Sequence, residues 1–170
     1  MMEDIYLFHG KGGSPQGSVS VLQRALEPML PPARYFRPHL LHHDPSLPAE
    51  TALAALPELK IPSGAVVIGI SLGGLVAARL QETLRPDLSV VCISTPTWAD
   101  GVRLERSMPA RAAFYSSNDE VILGRTAEWP SLATAFDVPS LSHDTDRHVE
   151  LLARLIKAYL NKEDVRLLIP

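Results

Sequence analysis

The chain has 170 residues, of which 46% are hydrophobic and 21% are charged, and its formal net charge is −3. This composition is ordinary for a soluble globular protein and the length favours one hydrophobic core, so we predict a single domain over residues 1–170. The charge, and the lack of a basic run with interleaved aromatic residues, argue against nucleic acid or an anionic membrane as a partner.

Short apolar runs recur along the chain and predict six β-strands: IYLFH (5–9), ARYFRP (33–38), AVVIGI (65–70), SVVCIS (89–94), RAAFYS (111–116) and TAFDVP (134–139). Several of them are apolar on successive residues, which is typical of strands covered on both faces. Helical patterns lie between and after them, at 17–30, 49–59, 72–85, 126–133 and 146–161. This alternation predicts an α/β fold, a three-layer α/β/α sandwich around a mostly parallel sheet.

Targeting and redox signals favour the cytoplasm. The first residues, MMEDIYLF, do not have the pattern of a signal peptide, and no apolar run approaches the ~20 residues that span a bilayer. The single cysteine, Cys92, lies in an apolar run, where we expect a buried and inert thiol. We therefore expect a cytoplasmic protein, whereas the sequence does not predict its oligomeric state.

The carboxyl ends of the strands are where parallel sheets bind ligands. The strongest signal at this edge is GISLGG (69–74), which contains the pattern G-x-S-x-G with Ser71 at its centre. It follows an apolar strand and opens a helical run, the context of a nucleophilic serine on a sharp strand-to-helix turn. Such a turn crowds the backbone, so we expect no room for side chains at Gly69 and Gly73.

Candidates for the partners of a nucleophilic serine follow it along the chain. The hydroxyl needs a base to take its proton, and the base needs an acid to orient it. Asp119 follows the fifth predicted strand and is the first candidate for the acid, with Asp100 and Glu120 as alternatives. His143 follows the last predicted strand and is the first candidate for the base, with His148 as the alternative.

The motifs HGKGGSP, GISLGG and SSNDEVI, and the SH pair before the closing amphipathic helix, together resemble the α/β-hydrolase superfamily. Within it, the chain is similar to the small, lidless serine hydrolases and esterases of bacteria, and the likeness covers nearly the whole chain. The resemblance implies a minimal α/β-hydrolase fold without a cap domain, with Ser71 as nucleophile, Asp119 as acid and His143 as base. It also implies an oxyanion hole formed by the main-chain N–H groups of Lys11 and Leu72.

The glycines and the lysine of HGKGGSP (9–15) also suggest a phosphate-binding loop, but their spacing excludes it. The P-loop pattern GxxxxGK[ST] is absent, and a GxGxxG fingerprint starting at Gly10 would need a glycine where Pro15 stands. The acidic residue that binds a ribose about 20 positions further on is missing as well. We therefore predict that Gly10 and Gly12 leave room for a substrate carbonyl beside the amide of Lys11.

HLLHHD (39–44) combines three histidines with an aspartate, residue types that bind zinc. Adjacent His42 and His43 point in different directions, so they do not bind one metal ion together, and no fourth ligand is then evident. We therefore predict a polar loop that lines the edge of the active site, and no metal site.

The segment in which a cap domain would be inserted is short in this chain. Only residues 95–110 separate the two predicted strands between which relatives usually carry a cap. We therefore expect an open or shallow site, in which Trp98 contacts the substrate and Trp129 is a second candidate for the wall.

These features predict a serine hydrolase that cleaves an ester or thioester of a small molecule through an acyl-enzyme and needs no cofactor. The alternative is a non-catalytic binding protein that keeps the α/β-hydrolase fold. Labelling of the serine by a mechanism-based probe separates the two.

Overall fold

The computed structural model describes residues 3–30 and 32–170. Its strands, in chain order, are β1 (Glu3–Phe8), β2 (Ala33–Phe36), β3 (Val66–Ile70), β4 (Ser89–Ile93), β5 (Trp98–Ala99), β6 (Val102–Arg103), β7 (Arg111–Tyr115) and β8 (Thr134–Asp137). Six of them form one sheet in the order β2-β1-β3-β4-β7-β8, and every pair in it is parallel. The predicted α/β fold with a parallel sheet is therefore confirmed.

Helices cover both faces of this sheet. They are α1 (Ser18–Leu26), α2 (Ala49–Ala55), α3 (Leu72–Thr83), α4 (Trp129–Leu132) and α5 (Val149–Leu160), with 3₁₀ turns at Leu41–His43, Leu56–Leu59, Thr145–His148 and Val165–Leu168. Apolar residues of α1 and α5 pack on one face, and those of α2, α3 and α4 pack on the other. No helix in the described part of the chain is long and apolar enough to cross a membrane.

The last four residues of β1 show why a strand of this sheet is apolar at successive positions. Ile5 and Leu7 point into the core shared with α1 and α5. Tyr6 and Phe8 point into the core shared with α3. Side chains of a strand alternate between faces, so a strand that is covered on both sides has no position left for a solvent-facing residue.

The site is positioned by the place where the strand order reverses. From β1 the chain crosses to β2 on one side, and β3 then pairs with β1 on the other side. Phe8 is in register with Gly69, so β1 and β3 end beside each other. A crevice opens at the carboxyl ends of strands at such a point. HGKGGSP and GISLGG, which follow these two strands, therefore lie next to each other.

Some predicted boundaries differ from the structure. The helix predicted at 126–133 has only four residues, Trp129–Leu132, because Pro130 can stand only in a first turn and β8 begins at Thr134. The strand predicted at 33–38 ends at Phe36, two residues before Pro38, which has no N–H for a sheet. The last helix begins at Val149, after a 3₁₀ turn.

Residues 95–110 contain a hairpin that the sequence analysis did not predict. Strands β5 and β6 are antiparallel and pair Trp98 with Arg103 and Ala99 with Val102. The two residues between them, Asp100 and Gly101, have φ angles of 48° and 84°. Both residues of a type I′ turn need positive φ, and Asp-Gly is a preferred pair for that turn. The signal was present in the sequence as an Asp-Gly pair between apolar residues.

Candidate active site

Ser71 stands on a strained turn between β3 and α3. Its φ is 53° and its ψ is −120°, a conformation that is costly for a residue with a side chain. Two contacts from the end of β4 hold it there. Its N–H donates to the carbonyl oxygen of Ile93 at 2.7 Å, and Oγ1 of Thr95 donates to its carbonyl oxygen at 2.9 Å. Strain at a position held so firmly is typical of functional sites.

The glycines around Ser71 are required by close backbone contacts. A Cβ on Gly69 would lie 2.3 Å from the main-chain nitrogen of Gly74, and one on Gly73 would lie 2.3 Å from the carbonyl oxygen of Phe8. The G-x-S-x-G pattern predicts this lack of room at both positions. A Cβ on Gly74 would also collide, at 2.2 Å from Oγ1 of Thr95. The run of glycines therefore lets α3 pack directly against the ends of β1 and β4.

The structure brings Ser71, His143 and Asp119 together. Oγ of Ser71 lies 3.1 Å from Nε2 of His143, and Nδ1 of His143 lies 2.8 Å from Oδ2 of Asp119. Asp119 is buried, and its other carboxylate oxygen accepts a hydrogen bond of 3.0 Å from the N–H of Val121. Since a carboxylate only accepts, Nδ1 of His143 carries the proton, and Nε2 is left to accept the hydroxyl of Ser71.

The alternative acids and base lie elsewhere. Asp100 pairs with the ammonium group of Lys11 at 2.9 Å, and Glu120 is exposed. Nε2 of His148 accepts hydrogen bonds from the N–H and the hydroxyl of Ser142, at 3.1 and 2.9 Å. His148 therefore fixes the loop that carries the neighbouring His143, and it does not itself contact Ser71.

Two main-chain N–H groups beside Ser71 are available to a ligand. Within residues 3–30 and 32–170, the N–H groups of Lys11 and Leu72 donate to no other atom. That of Leu72 belongs to the first turn of α3, where N–H groups have no partner inside the helix. Lys11 and Leu72 line the same cavity as Ser71 and His143. Unpaired main-chain donors at a cavity are the kind of group that can bind a developing negative charge.

The loop that carries Lys11 is fastened by residues of HLLHHD. The N–H of Gly12 donates to the carbonyl oxygen of His42 at 2.9 Å, and Nδ1 of His43 bonds to the carbonyl oxygen of Gly13. Nε2 of His42 lies 2.6 Å from the carbonyl oxygen of His9. His42 is fully buried, so it supports the loop from behind and does not line the site as the sequence analysis expected.

His9 is held in its neutral form. Nε2 accepts a hydrogen bond of 2.9 Å from the N–H of Leu40, and Nδ1 donates to the carbonyl oxygen of Gly10 at 2.9 Å. Burial lowers the pKa of His9 to about 4, and burial also lowers the pKa of His42. Because both rings are neutral and bonded to main-chain atoms, their arrangement is structural. No group of three or more histidine, cysteine, aspartate or glutamate residues in the described chain could hold a metal ion.

The site opens into a cavity of about 570 Å³. Gly10 and Lys11 line it, but Gly12 and Trp98 do not. Gly12 instead uses its φ of 71° to turn the loop. Trp98 is exposed to solvent and lies outside the cavity lining, to which its neighbour Ala99 belongs.

Trp129, the other tryptophan, is fully buried, and its Nε1 donates to the carbonyl oxygen of Thr95 at 2.8 Å. It packs in the core and does not line the cavity. The hairpin β5–β6 contributes a wall that the sequence analysis did not predict.

Solved structures that resemble the chain share one fold. A protein of the alpha/beta hydrolase superfamily from Xanthomonas campestris pv. campestris is 19% identical, with a TM-score of 0.71 over 94% of this chain and 99% of its own. Est1E from Butyrivibrio proteoclasticus is 13% identical, with a TM-score of 0.70 over 95% and 88% of the two chains. A pyrethroid hydrolase from Sphingobium faniae is 15% identical, with a TM-score of 0.61 over 95% and 98%. No protein-family model and no curated protein matches the sequence.

The chain therefore has the α/β-hydrolase fold, as its motifs predicted. Similarity at identities of 13 to 19% carries the fold and not the activity. The chemistry depends on the residues that meet at the cavity.

Proposed function

We propose that this chain is a small serine hydrolase without a cap domain, which cleaves ester or thioester bonds through an acyl-enzyme. One observation carries the proposal: the hydrogen-bonded chain from Ser71 through His143 to Asp119, with distances of 3.1 and 2.8 Å, at a cavity. Several structural neighbours are named as hydrolases, which supports the reaction class. A small-molecule substrate suits a cavity of about 570 Å³.

In the proposed reaction, Nε2 of His143 takes the hydroxyl proton as Oγ of Ser71 attacks the carbonyl carbon. Asp119 stabilises the charged imidazole that forms and keeps it oriented. The negative oxygen of the tetrahedral intermediate is bound by the N–H groups of Leu72 and Lys11, each donor contributing about 3–4 kcal/mol in known cases. His143 then protonates the leaving group, and a water molecule releases the acyl group by the same steps. The chain's own residues supply the nucleophile, the base, its orienting acid and the oxyanion donors.

Reaction with a fluorophosphonate probe tests the proposal, because the probe forms a covalent bond with an activated serine. We expect the wild-type protein to be labelled at Ser71 and to hydrolyse p-nitrophenyl acetate. Ser71→Ala should lose both properties. Ser18→Ala is the matched control, because Ser18 also lines the cavity but has no histidine partner. This variant should still be labelled.

A wild-type protein that neither reacts with the probe nor hydrolyses the ester would disprove the hydrolase proposal. The chain would then be a binding protein with this fold. Turnover that persists in Ser71→Ala would show that another group carries the reaction.

A further inference from the structure

Two arginines approach the ring of Trp98 on the hairpin β5–β6. Cζ of Arg103 lies 5.4 Å from the ring centroid, and Cζ of Arg125 lies 5.3 Å from it. Arg103 is the residue paired with Trp98 in the hairpin, and Arg125 comes from the segment between β7 and α4. A guanidinium over an indole ring is held by a cation–π attraction. Both arginine side chains therefore contact the same tryptophan ring, but their other contacts differ.

Arg103 is paired, whereas Arg125 is not. Nη1 of Arg103 lies 3.1 Å from a carboxylate oxygen of Glu128, and Arg103 does not line the cavity. Arg125 lines the cavity together with Ser71 and His143. Within the described chain, Arg125 forms no ion pair, and its side chain makes one hydrogen bond, 3.1 Å from Nη2 to the carbonyl oxygen of Val121. Most of the five N–H donors of its guanidinium group therefore remain available.

The other charged side chains of the cavity do not neutralise Arg125. Lys11 and Asp100 also line it, and they pair with each other at 2.9 Å. Asp144, next to His143, is exposed to solvent. Arg125 is thus the cation of the described cavity wall that lacks a counter-ion. A planar, permanently charged group that is already held in place loses little freedom when it binds an anion.

We propose that Arg125 determines substrate specificity by binding a carboxylate that the substrate carries in addition to the ester or thioester bond. This inference rests on the proposed hydrolase function. The guanidinium group matches the two oxygens of a carboxylate with parallel N–H donors. The ring of Trp98 and the carbonyl of Val121 hold that group in place beside the cavity. The attraction exists in the ground state and in the transition state alike, so it should act mainly on KM.

The test compares substrates that differ in one charge. One pair is 4-acetoxybenzoate and 4-acetoxybenzamide, with the carboxylate on the leaving group. The other pair is the monophenyl ester of adipic acid and its terminal amide, with the carboxylate on the acyl group. The quantity measured is the ratio of kcat/KM for the acid to that for the amide. We expect the wild-type ratio to be about ten in at least one pair, which is the effect of one charge-assisted contact.

The variants Arg125→Gln, Arg125→Lys and Arg103→Gln assign this preference to a residue. Arg125→Gln should remove it, Arg125→Lys should restore part of it, and Arg103→Gln should leave it intact. Circular dichroism spectra like that of the wild type show that each variant is folded, and hydrolysis of the amides by the wild-type protein shows that hydrolysis itself stands. The inference is wrong if the wild-type protein does not prefer the acid in either pair. It is also wrong if Arg103→Gln lowers the ratio as much as Arg125→Gln. If even the amides are not hydrolysed, the hydrolase proposal fails first.

Discussion

Nε2 of His42 donates a hydrogen bond of 2.6 Å to the main-chain carbonyl oxygen of His9. The carbonyl oxygen of His42 in turn accepts the N–H of Gly12 at 2.9 Å. One buried residue therefore bonds to both sides of the short loop in which Lys11 lies. Donors of an oxyanion hole act only when they are placed correctly before the reaction. Through this loop, His42 connects the folded core to the proposed chemistry without touching the substrate.

We predict that replacing His42 slows the reaction more than it weakens substrate binding. His42→Leu removes the donor to His9, so the N–H of Lys11 loses part of its support. We expect kcat for p-nitrophenyl acetate to fall by about tenfold, with KM changed little, because the donor matters most in the transition state. His42→Gln keeps an N–H donor of similar reach and should recover part of kcat. A loss confined to KM, or equal loss in both variants, would contradict this role.

The buried histidines should make stability depend on pH. Burial lowers the pKa of His9 from 6.5 to about 4. Between pH 6.5 and pH 4, His9 is therefore protonated in the unfolded chain but neutral in the folded chain. The stabilisation is therefore complete above pH 6.5 and is lost as the pH falls towards 4. Between pH 7 and pH 5 the free energy of unfolding should decrease by about 2 kcal/mol from His9 alone. His42, whose pKa is also lowered, acts in the same direction.

Urea unfolding at the two pH values measures this change, and His9→Gln is the comparison. Glutamine keeps an acceptor for the N–H of Leu40 but does not titrate, so the pH-dependent loss should shrink by about 2 kcal/mol. The window avoids Asp87, whose carboxylate pKa is lowered by Arg85 and whose contribution is lost only at more acidic pH. An equal loss in both proteins would show that His9 titrates normally in the folded state.

We predict different consequences for the two histidines of the last loop. His143→Ala removes the proposed base, so kcat should fall by at least about a thousandfold. His148→Ala removes only the acceptor of the two hydrogen bonds from Ser142, so we expect a loss of about tenfold or less. His148→Gln keeps an acceptor and should restore part of the rate. Retained activity in His143→Ala together with its loss in His148→Ala would reverse the assignment.

Gly73→Ala should be among the most damaging substitutions of a small residue. Its Cβ would lie 2.3 Å from the carbonyl oxygen of Phe8 and 2.5 Å from that of His9, and backbone atoms cannot move aside singly. We expect a loss of more than about 3 kcal/mol in the free energy of unfolding. Gly64→Ala adds the same methyl group in open space at a φ of 75°, so it should cost only about 1–2 kcal/mol. Thermal unfolding of both variants measures these losses. A similar loss of stability in the two variants would show that the close contact at Gly73 is not what makes its substitution costly.

The sequence predicted the parallel sheet and the position of Ser71 because both depend on local signals. The residues of β3 carry no polar side chain, as expected for a strand that is buried on both faces. The sharp turn at Ser71 leaves no room for a side chain at positions 69 and 73, so glycine is required at both. Asp119 and His143 could be predicted to lie at the same edge of the sheet as Ser71, because each follows a predicted strand. The sequence could not predict whether the two side chains reach Ser71. Contacts such as the 2.8 Å hydrogen bond between His143 and Asp119 depend on the packing of three loops.

By itself, then, the sequence determined the α/β-hydrolase fold and the order of candidate residues along one edge of the sheet. The tertiary structure decided which of those residues meet, and it added contacts between segments far apart in the chain. His42 fastens the loop of His9 from 33 residues away. Arg125 and Arg103 both reach Trp98, yet only Arg125 lines the cavity. Periodicity and turn chemistry act over a few residues, whereas the burial and the pairing of a charge are set only when distant segments pack.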